Sequence, residues 1–231
     1  MTAYLSHLAS KSIISSLNDR GIRTVALPPF SALSSPVDSH SDMLLLAVGD
    51  TVFVHEDYEL SQNGQLARDF QRIVKVCEPI SARYPNDVLL NISVIGDLVI
   101  ANTEFASRTA LEHLRALGKT VVSVKQGYAH CSVCAVGNNA LISADAGIVN
   151  AARQNGLDAL EITEGHISLP PYEYGFIGGA SGSDEENVYF CGSLDYHPDG
   201  ERIREFCLSH GVSPIELCNS PLSDIGGILL K

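Results

Sequence analysis

Basic residues are scarce. Fifteen Lys and Arg stand against 27 Asp and Glu in 231 residues, a formal net charge of −12, and no segment gathers the basic ones. A chain of this charge repels polyanions, so nucleic acid is excluded as a partner. Long apolar runs are missing too. None approaches the roughly 20 residues that a membrane-spanning helix needs, which excludes a membrane role. Met1 to Leu17 has neither a basic start nor an unbroken apolar stretch, so no export signal is expected there. Six cysteines without such a signal read as reduced thiols, and a cytoplasmic location is expected.

Two chemical signatures are incomplete. His130-Cys131-x-x-Cys134 is followed by no second Cys pair and no close His pair, so no metal and no cofactor are expected. Gly178-Gly179-Ala180-Ser181-Gly182-Ser183 lacks the Lys-Ser/Thr of a phosphate loop and runs into Asp184-Glu185-Glu186, which repels phosphate. What is present is an ordinary balance of 45% hydrophobic and 18% charged residues, enough to bury a sizeable core. A single domain over 1–231 is expected.

A repeat runs through that domain. Ala47-Val48-Gly49-Asp50, Val94-Ile95-Gly96-Asp97, Ala135-Val136-Gly137-Asn138 and Phe176-Ile177-Gly178-Gly179 share one pattern, small or apolar residues and then Gly before a turn residue. Each lies in a strand–turn–strand run: Leu44 to Val54, Val88 to Ala101, Val133 to Ser143 and Gly175 to Cys191. A helical pattern follows each hairpin. The apolar positions are Leu66, Phe70, Ile73, Val74 and Cys77; then Ala110, Leu111, Leu114 and Leu117; then Ile148 to Gln154; then Ile203, Phe206 and Cys207. A further helix, with Leu5, Leu8, Ile13 and Leu17, opens the chain and stops at Gly21. One more strand follows most of them, at Thr24 to Leu27, Thr120 to Lys125, Ala159 to Thr163 and Pro214 to Cys218. The fifth hairpin is expected to form between Ile225 to Leu230 and Thr2 to Leu5, closing a ring.

A hairpin–helix–strand unit used about five times around a central axis resembles the penteins, the guanidino-group-modifying fold. The resemblance covers Thr24 to Lys231 and implies a pentein-like α/β propeller of pseudo-symmetric units. It implies catalytic groups at the junctions where one unit passes into the next. Pro36-Val37-Asp38-Ser39-His40-Ser41-Asp42 resembles the acidic segment that opens the first hairpin. Tyr84-Pro85-Asn86-Asp87 is similar to the family's Gly-Gly-Asp-Val segment, which makes Asp87 a substrate-side carboxylate. His130 stands where the family has its catalytic histidine, with Cys131 and Ser132 in place of an apolar residue and an acid. The remaining junctions are 165–173, with His166 and Glu173, and 219–227, with Asp224. The family's cysteine nucleophile belongs at that last junction, and no cysteine follows Cys218.

The resemblance therefore implies catalytic candidates His130, Asp87, Cys131 and Asp224, and substrate-binding candidates Asp38, His40, Asp42, His166 and Glu173. Several acids converging on an axis repel one another unless a cation or shared protons relieve them. A small guanidino or amino compound is the expected ligand of the acidic axial pocket, in a divergent or inactive relative of the amidinohydrolases and deiminases. Two alternatives stay open. One is a non-catalytic binding module like the ribosome-binding factor that shares this fold. The other is a hydrolase using a relocated cysteine or a metal. Cys77, Cys191, Cys207 and Cys218 read as packing residues.

Overall fold

The computed structural model describes residues 1–61 and 64–231. It contains five three-stranded sheets of one topology, in which the middle strand pairs antiparallel on one side and parallel on the other. In the first unit, β1 (Thr2–Ser6) leads through α1 (Lys11–Asp19) to β2 (Arg23–Leu27). The second contains β3 (Leu45–Val48), β4 (Thr51–His55) and β5 (Arg72–Val76). The third contains β6 (Ser93–Ile95), β7 (Leu98–Ala101), α3 (Arg108–Ala116) and β8 (Thr120–Ser123); α2 is the single turn Ser41–Leu44 ahead of β3. The fourth contains β9 (Cys134–Val136), β10 (Ala140–Ser143), α4 (Ala146–Gln154) and β11 (Asp158–Glu161). The fifth contains β12 (Ser181–Ser183), β13 (Asn187–Phe190), α5 (Gly200–Ser209) and β14 (Ser213–Glu216). The last strand, β15 (Leu229–Leu230), returns to β1 and pairs antiparallel, Ala3 with Leu230 and Tyr4 with Leu229.

Local chemistry accounts for the shared topology. Gly49 and Gly96 adopt positive φ of 57° and 53° at the first central position of two-residue turns, the place where a hairpin turn of the type II′ class needs glycine. Ser10, Ser107 and Asp145 cap α1, α3 and α4 by accepting from the third residue onward. No unit holds a core of its own. Among the described residues five apolar clusters form, each shared by at least two units. Tyr4 and Leu27 pack with Leu45, Val52 and Val54. Leu46 and Phe53 pack with Val99 and Leu111. Ile95 and Ile100 pack with Leu141 and Ile148. Val136 and Ile142 pack with Val188 and Phe190. Tyr189 and Cys191 pack with Leu5 and Leu17, which closes the cycle. The inner strands of all five units face one axial cavity of about 170 Å³, through Ala47, Val94, Ala135, Gly182 and Leu229. Among the described residues, no helix is long and apolar enough to cross a membrane.

Four sequence expectations are corrected. The stripe from Leu66 to Cys77 does not form a helix. It makes a 3-10 turn, Leu66–Arg68, and then β5, because Ile73, Val74 and Val76 are β-branched and β4 offers them a parallel edge. Cys77 follows β5 and is exposed, not packed. Leu5 belongs to β1 rather than to the first helix, which starts at Lys11, and Leu8 is exposed. The fourth hairpin turns at 184–187, where the Asp184 carboxylate accepts the Glu186 and Asn187 amides, and not at Gly178-Gly179. Gly178 is instead a close-approach residue: a side chain there overlaps the carbonyls of His130, Cys131 and Val133.

Glu216 fastens α5 to the fifth sheet. It accepts from Ser193 Oγ, the Leu194 amide and Arg204 Nε. Burial alone raises its pKa, but the Ser193, Arg204 and Leu194 donors outweigh it and hold the carboxyl below its ordinary range. A depressed carboxyl adds stability above its unfolded pKa of about 4.3 and loses that contribution as pH falls through the folded value. Glu216→Gln is expected to cost about 1 kcal/mol near pH 7, lowering Tm by roughly 2–4 °C, with the deficit shrinking as pH falls toward 3. Thermal melts across that range check this; an equal deficit at pH 3 counts against it.

Candidate active site

Two unit junctions are tied together by one carbonyl. Gly226 O accepts from the Asp42 amide at 3.0 Å and from Ser41 Oγ at 2.9 Å. Gly226 packs so closely on His40 that any side chain there overlaps the imidazole. This places α2, with His40 just before it, against the segment that carries Asp224. The Asp224 carboxylate is fixed from both ends: Oδ2 accepts the Phe176 amide and Oδ1 the Gly226 amide, each at 2.9 Å. Gly175 and Gly179 leave the room that this carboxylate fills.

Asn91 holds the next junctions. It is buried at 1% exposure. Its Oδ1 accepts the His130 and Cys131 amides at 2.6 and 3.2 Å, and its Nδ2 donates to the Asp42 carbonyl at 3.2 Å and to Cys131 Sγ at 2.9 Å. Sequence analysis missed it. The available signal was an amide side chain inside the apolar run Val88-Leu89-Leu90-Asn91-Ile92, where burial demands partners.

The result is a buried trio. His40 Nδ1 lies 3.9 Å from Asp42 Oδ1 and 3.7 Å from Asp224 Oδ1. One donor atom from each residue lies within 4.8 Å of the others, a spacing that fits a metal ion. Among the described residues neither Asp42 oxygen has a partner at full hydrogen-bond geometry, although the Cys131 thiol lies beside it. Burial and then the Asp224 carboxylate push Asp42 well above the ordinary carboxyl range, against the opposing Cys131 thiol. Burial raises Asp224 as well, against the Phe176 and Gly226 amides. Burial lowers His40 to about 4. Cys131 lies beside Asp42; burial, then Asp42 and Asp224, push its thiol well above its ordinary value.

His40 and Asp224 of the trio line a cavity of about 290 Å³, with Cys131, Tyr128 and Phe176, while Asp42 is not part of that wall. Tyr128 and Phe176 stack at 6.1 Å, and Tyr174 meets Phe176 edge-on. Exposed Tyr172 and Glu173 stand at the mouth. Asp87 reaches this site through Tyr128, whose hydroxyl donates to Asp87 Oδ2 at 2.7 Å; Asp87 Oδ1 is buried without a partner.

The other candidates lie apart. His130 shares Asn91 through its backbone amide, but it lines the axial cavity with Ser41, Ser93 and Ser181 and is not part of the aromatic-walled one. Its Nδ1 has no partner, and burial lowers its pKa to about 4. No hydrogen bond joins Asp87 to His130 among the described residues. Asp38 sits in a 3-10 turn, Val37–Ser39, where its carbonyl accepts the Phe30 amide. His166 is exposed and meets His197 edge-on at 5.5 Å. A cavity lined by the Asp224 carboxylate and by Glu173, walled by aromatic rings and holding no Lys or Arg in its lining among the described residues, is suited to a small cation.

Comparison with known proteins agrees with this architecture. No curated protein matches the chain in sequence. In structure it is similar to the Pseudomonas aeruginosa dimethylarginine dimethylaminohydrolase in complex with citrulline, with a TM-score of 0.58 at 14% identity over 93% of this chain and 91% of that one. It is similar to the C. jejuni agmatine deiminase, with a TM-score of 0.54 at 9% identity over 94% and 86%. The inosamine-phosphate amidinotransferase of Streptomyces griseus gives 0.53 at 9% identity over 93% and 75%. These likenesses establish the fold, the pentein-like α/β fold. Residues 4–229 match the family described as "Family of unknown function (DUF6873)", and the chain belongs to that family.

Proposed function

We propose that this protein binds a small guanidino or amino compound, with the cationic head against Asp42 and Asp224 and the rest of the molecule between the aromatic walls. The observation that carries the reading is Asp42: a carboxylate buried at 1% exposure, with both oxygens unpartnered and a second carboxylate beside it. Such a pair is costly to ionise without a cation. A planar cation in the cavity meets the Asp224 carboxylate with more than one donor, and its charge also relieves Asp42 beside it. The rings of Tyr128 and Phe176 add cation–π attraction. A volume of about 290 Å³ suits a ligand of this size. The names of the structural neighbours, a dimethylarginine dimethylaminohydrolase, an agmatine deiminase and an amidinotransferase, fit the same ligand class.

The thiol chemistry implied by the pentein resemblance is not part of this reading. Asp224 stands at the last junction where that resemblance calls for a cysteine, and a carboxylate is a poor nucleophile toward a resonance-stabilised cation. A relocated nucleophile at Cys131 is disfavoured by its own surroundings, because two acids and burial suppress the thiolate that the reaction needs. The protein is thus read as a divergent amidinohydrolase or deiminase relative in which charge recognition persists.

Calorimetry with agmatine, arginine and methylated arginines, in chelator-treated buffer, is expected to give saturable binding to at least one of them. Asp42→Asn, which preserves shape, is expected to weaken it at least tenfold, about 1.4 kcal/mol. Ammonia and urea release should stay near background. Absence of binding by all of these compounds removes the reading, and fast turnover abolished by Cys131→Ser restores the relocated-cysteine alternative.

The thiol itself gives an independent check. With iodoacetamide at pH 7.5, peptide mapping should find exposed Cys77 alkylated and Cys131 spared until the protein is unfolded. Rapid alkylation of Cys131 in the folded chain contradicts a suppressed thiolate.

A further inference from the structure

We propose that His40, Asp42 and Asp224 bind one first-row divalent metal ion of the zinc type at the floor of the aromatic-walled cavity. This goes beyond the organic-cation reading, and the two are separable, because each cation is tested in the absence of the other.

The spacing comes first. Nδ1 of His40 is 3.9 Å from one carboxylate and 3.7 Å from the other. Both separations are too long for a hydrogen bond, so the three groups meet without satisfying one another. Four ligands at zinc–nitrogen and zinc–oxygen lengths of about 2.0–2.2 Å stand roughly 3.3–3.6 Å apart around a tetrahedron. The His40 separations contract to that value by a few tenths of an ångström. The Asp42 and Asp224 donor atoms, within 4.8 Å, close by small side-chain rotations.

The donor set and its surroundings agree. One imidazole nitrogen and two carboxylates suit zinc and its first-row neighbours, and the two carboxylates balance the ion's charge. Asp42 supplies an independent observation: its side chain is 2% exposed, faces His40 Nδ1, and has no partner on either oxygen. Asp224 is oriented from behind by the Phe176 and Gly226 amides, the outer-shell support that metal ligands usually have. His40 and Asp224 also form part of the cavity wall, which leaves an open coordination position toward that space. An organic cation on the carboxylates gives His40 no comparable role. The sequence points to no metal because His40, Asp42 and Asp224 are brought together across the whole chain rather than by a short spacing.

The test uses the full chain stripped with chelator and dialysed against zinc chloride alone, with metal measured by mass spectrometry. One ion per chain is expected. Asp42→Asn and His40→Gln should each lower the affinity at least tenfold, while His166→Gln, at an exposed histidine, should not. Less than half an ion per wild-type chain, or undiminished affinity in both folded variants, overturns the proposal. If neither variant folds, the cobalt-loaded wild type decides. Proton NMR should show one strongly shifted imidazole N–H resonance, and none or several refutes the site. A bound ion should also displace any organic ligand competitively, since both need the same two carboxylates.

Discussion

Shared burial between neighbouring units is the constraint on which the molecule depends. A sheet of three short strands, with at most one three-turn helix behind it, cannot bury an apolar face alone. Each of the five apolar clusters therefore draws from at least two units, and the fifth cluster joins the end of the chain to its beginning. Each large side chain buried in these clusters contributes roughly 1.5–3 kcal/mol, and none of it is available to a unit in isolation. The pairing of β15 with β1 is the last step of the same logic. Lys231, just past β15, donates to the Gly49 carbonyl at 3.0 Å, which fastens the closing strand to the first hairpin turn.

Closure determines where chemistry is possible. When five units face one axis, the segments entering each inner strand converge, and their backbone groups must find partners there. Gly226 O, Asn91 and the amides around Asp224 satisfy these groups. The same contacts bring two carboxylates and a histidine together, and among the described residues no Lys or Arg lines the cavity beside them. The apolar clusters bear the structural load, and the junctions are left with uncompensated charge. The aromatic walls extend that pattern, because Tyr128 and Phe176 pack on the scaffold with one surface and face the cavity with another.

Much of this was legible from local rules. Gly49-Asp50 and Gly96-Asp97 are hairpin turns whose glycines carry the needed φ, and the stripes of α3, α4 and α5 match one buried face each, except that Leu117, expected in the α3 stripe, caps the helix and is exposed. The losses have physical causes. From Phe70 to Cys77 the apolar spacing fits a helix as well as a strand, and only the edge of β4 decides. Gly178-Gly179 imitates a turn, but its glycines are there for close packing beneath the 130–133 segment and Asp224. At the site, His40, Asp42, Asp224 and Cys131 come together from segments that the repeat marked as junctions. Asn91 was invisible because a bonded buried amide resembles any other polar residue in one dimension. The placement of His130 at the axial cavity goes with the way Asn91 accepts the His130 and Cys131 amides, a contact between residues that are distant in sequence.

The chemical character of the site follows from where its acids stand. In the pentein resemblance the last junction contributes a thiol, which needs a nearby positive field to become a nucleophile. Here that junction contributes Asp224, clamped by two backbone amides, and the thiol of the third junction faces two acids. Each change works against thiolate chemistry, and both add to the demand for a cation. A polar buried group left without a partner costs roughly 1–3 kcal/mol, more when charged, so Asp42 either keeps its proton, as its raised pKa allows, or takes the proposed cation. The Gly175, Gly179 and Gly226 contacts point the same way, because a side chain at any of the three overlaps Asp224 or His40. The backbone is shaped around those two side chains, and what they face is the cavity in which the proposed cation is placed.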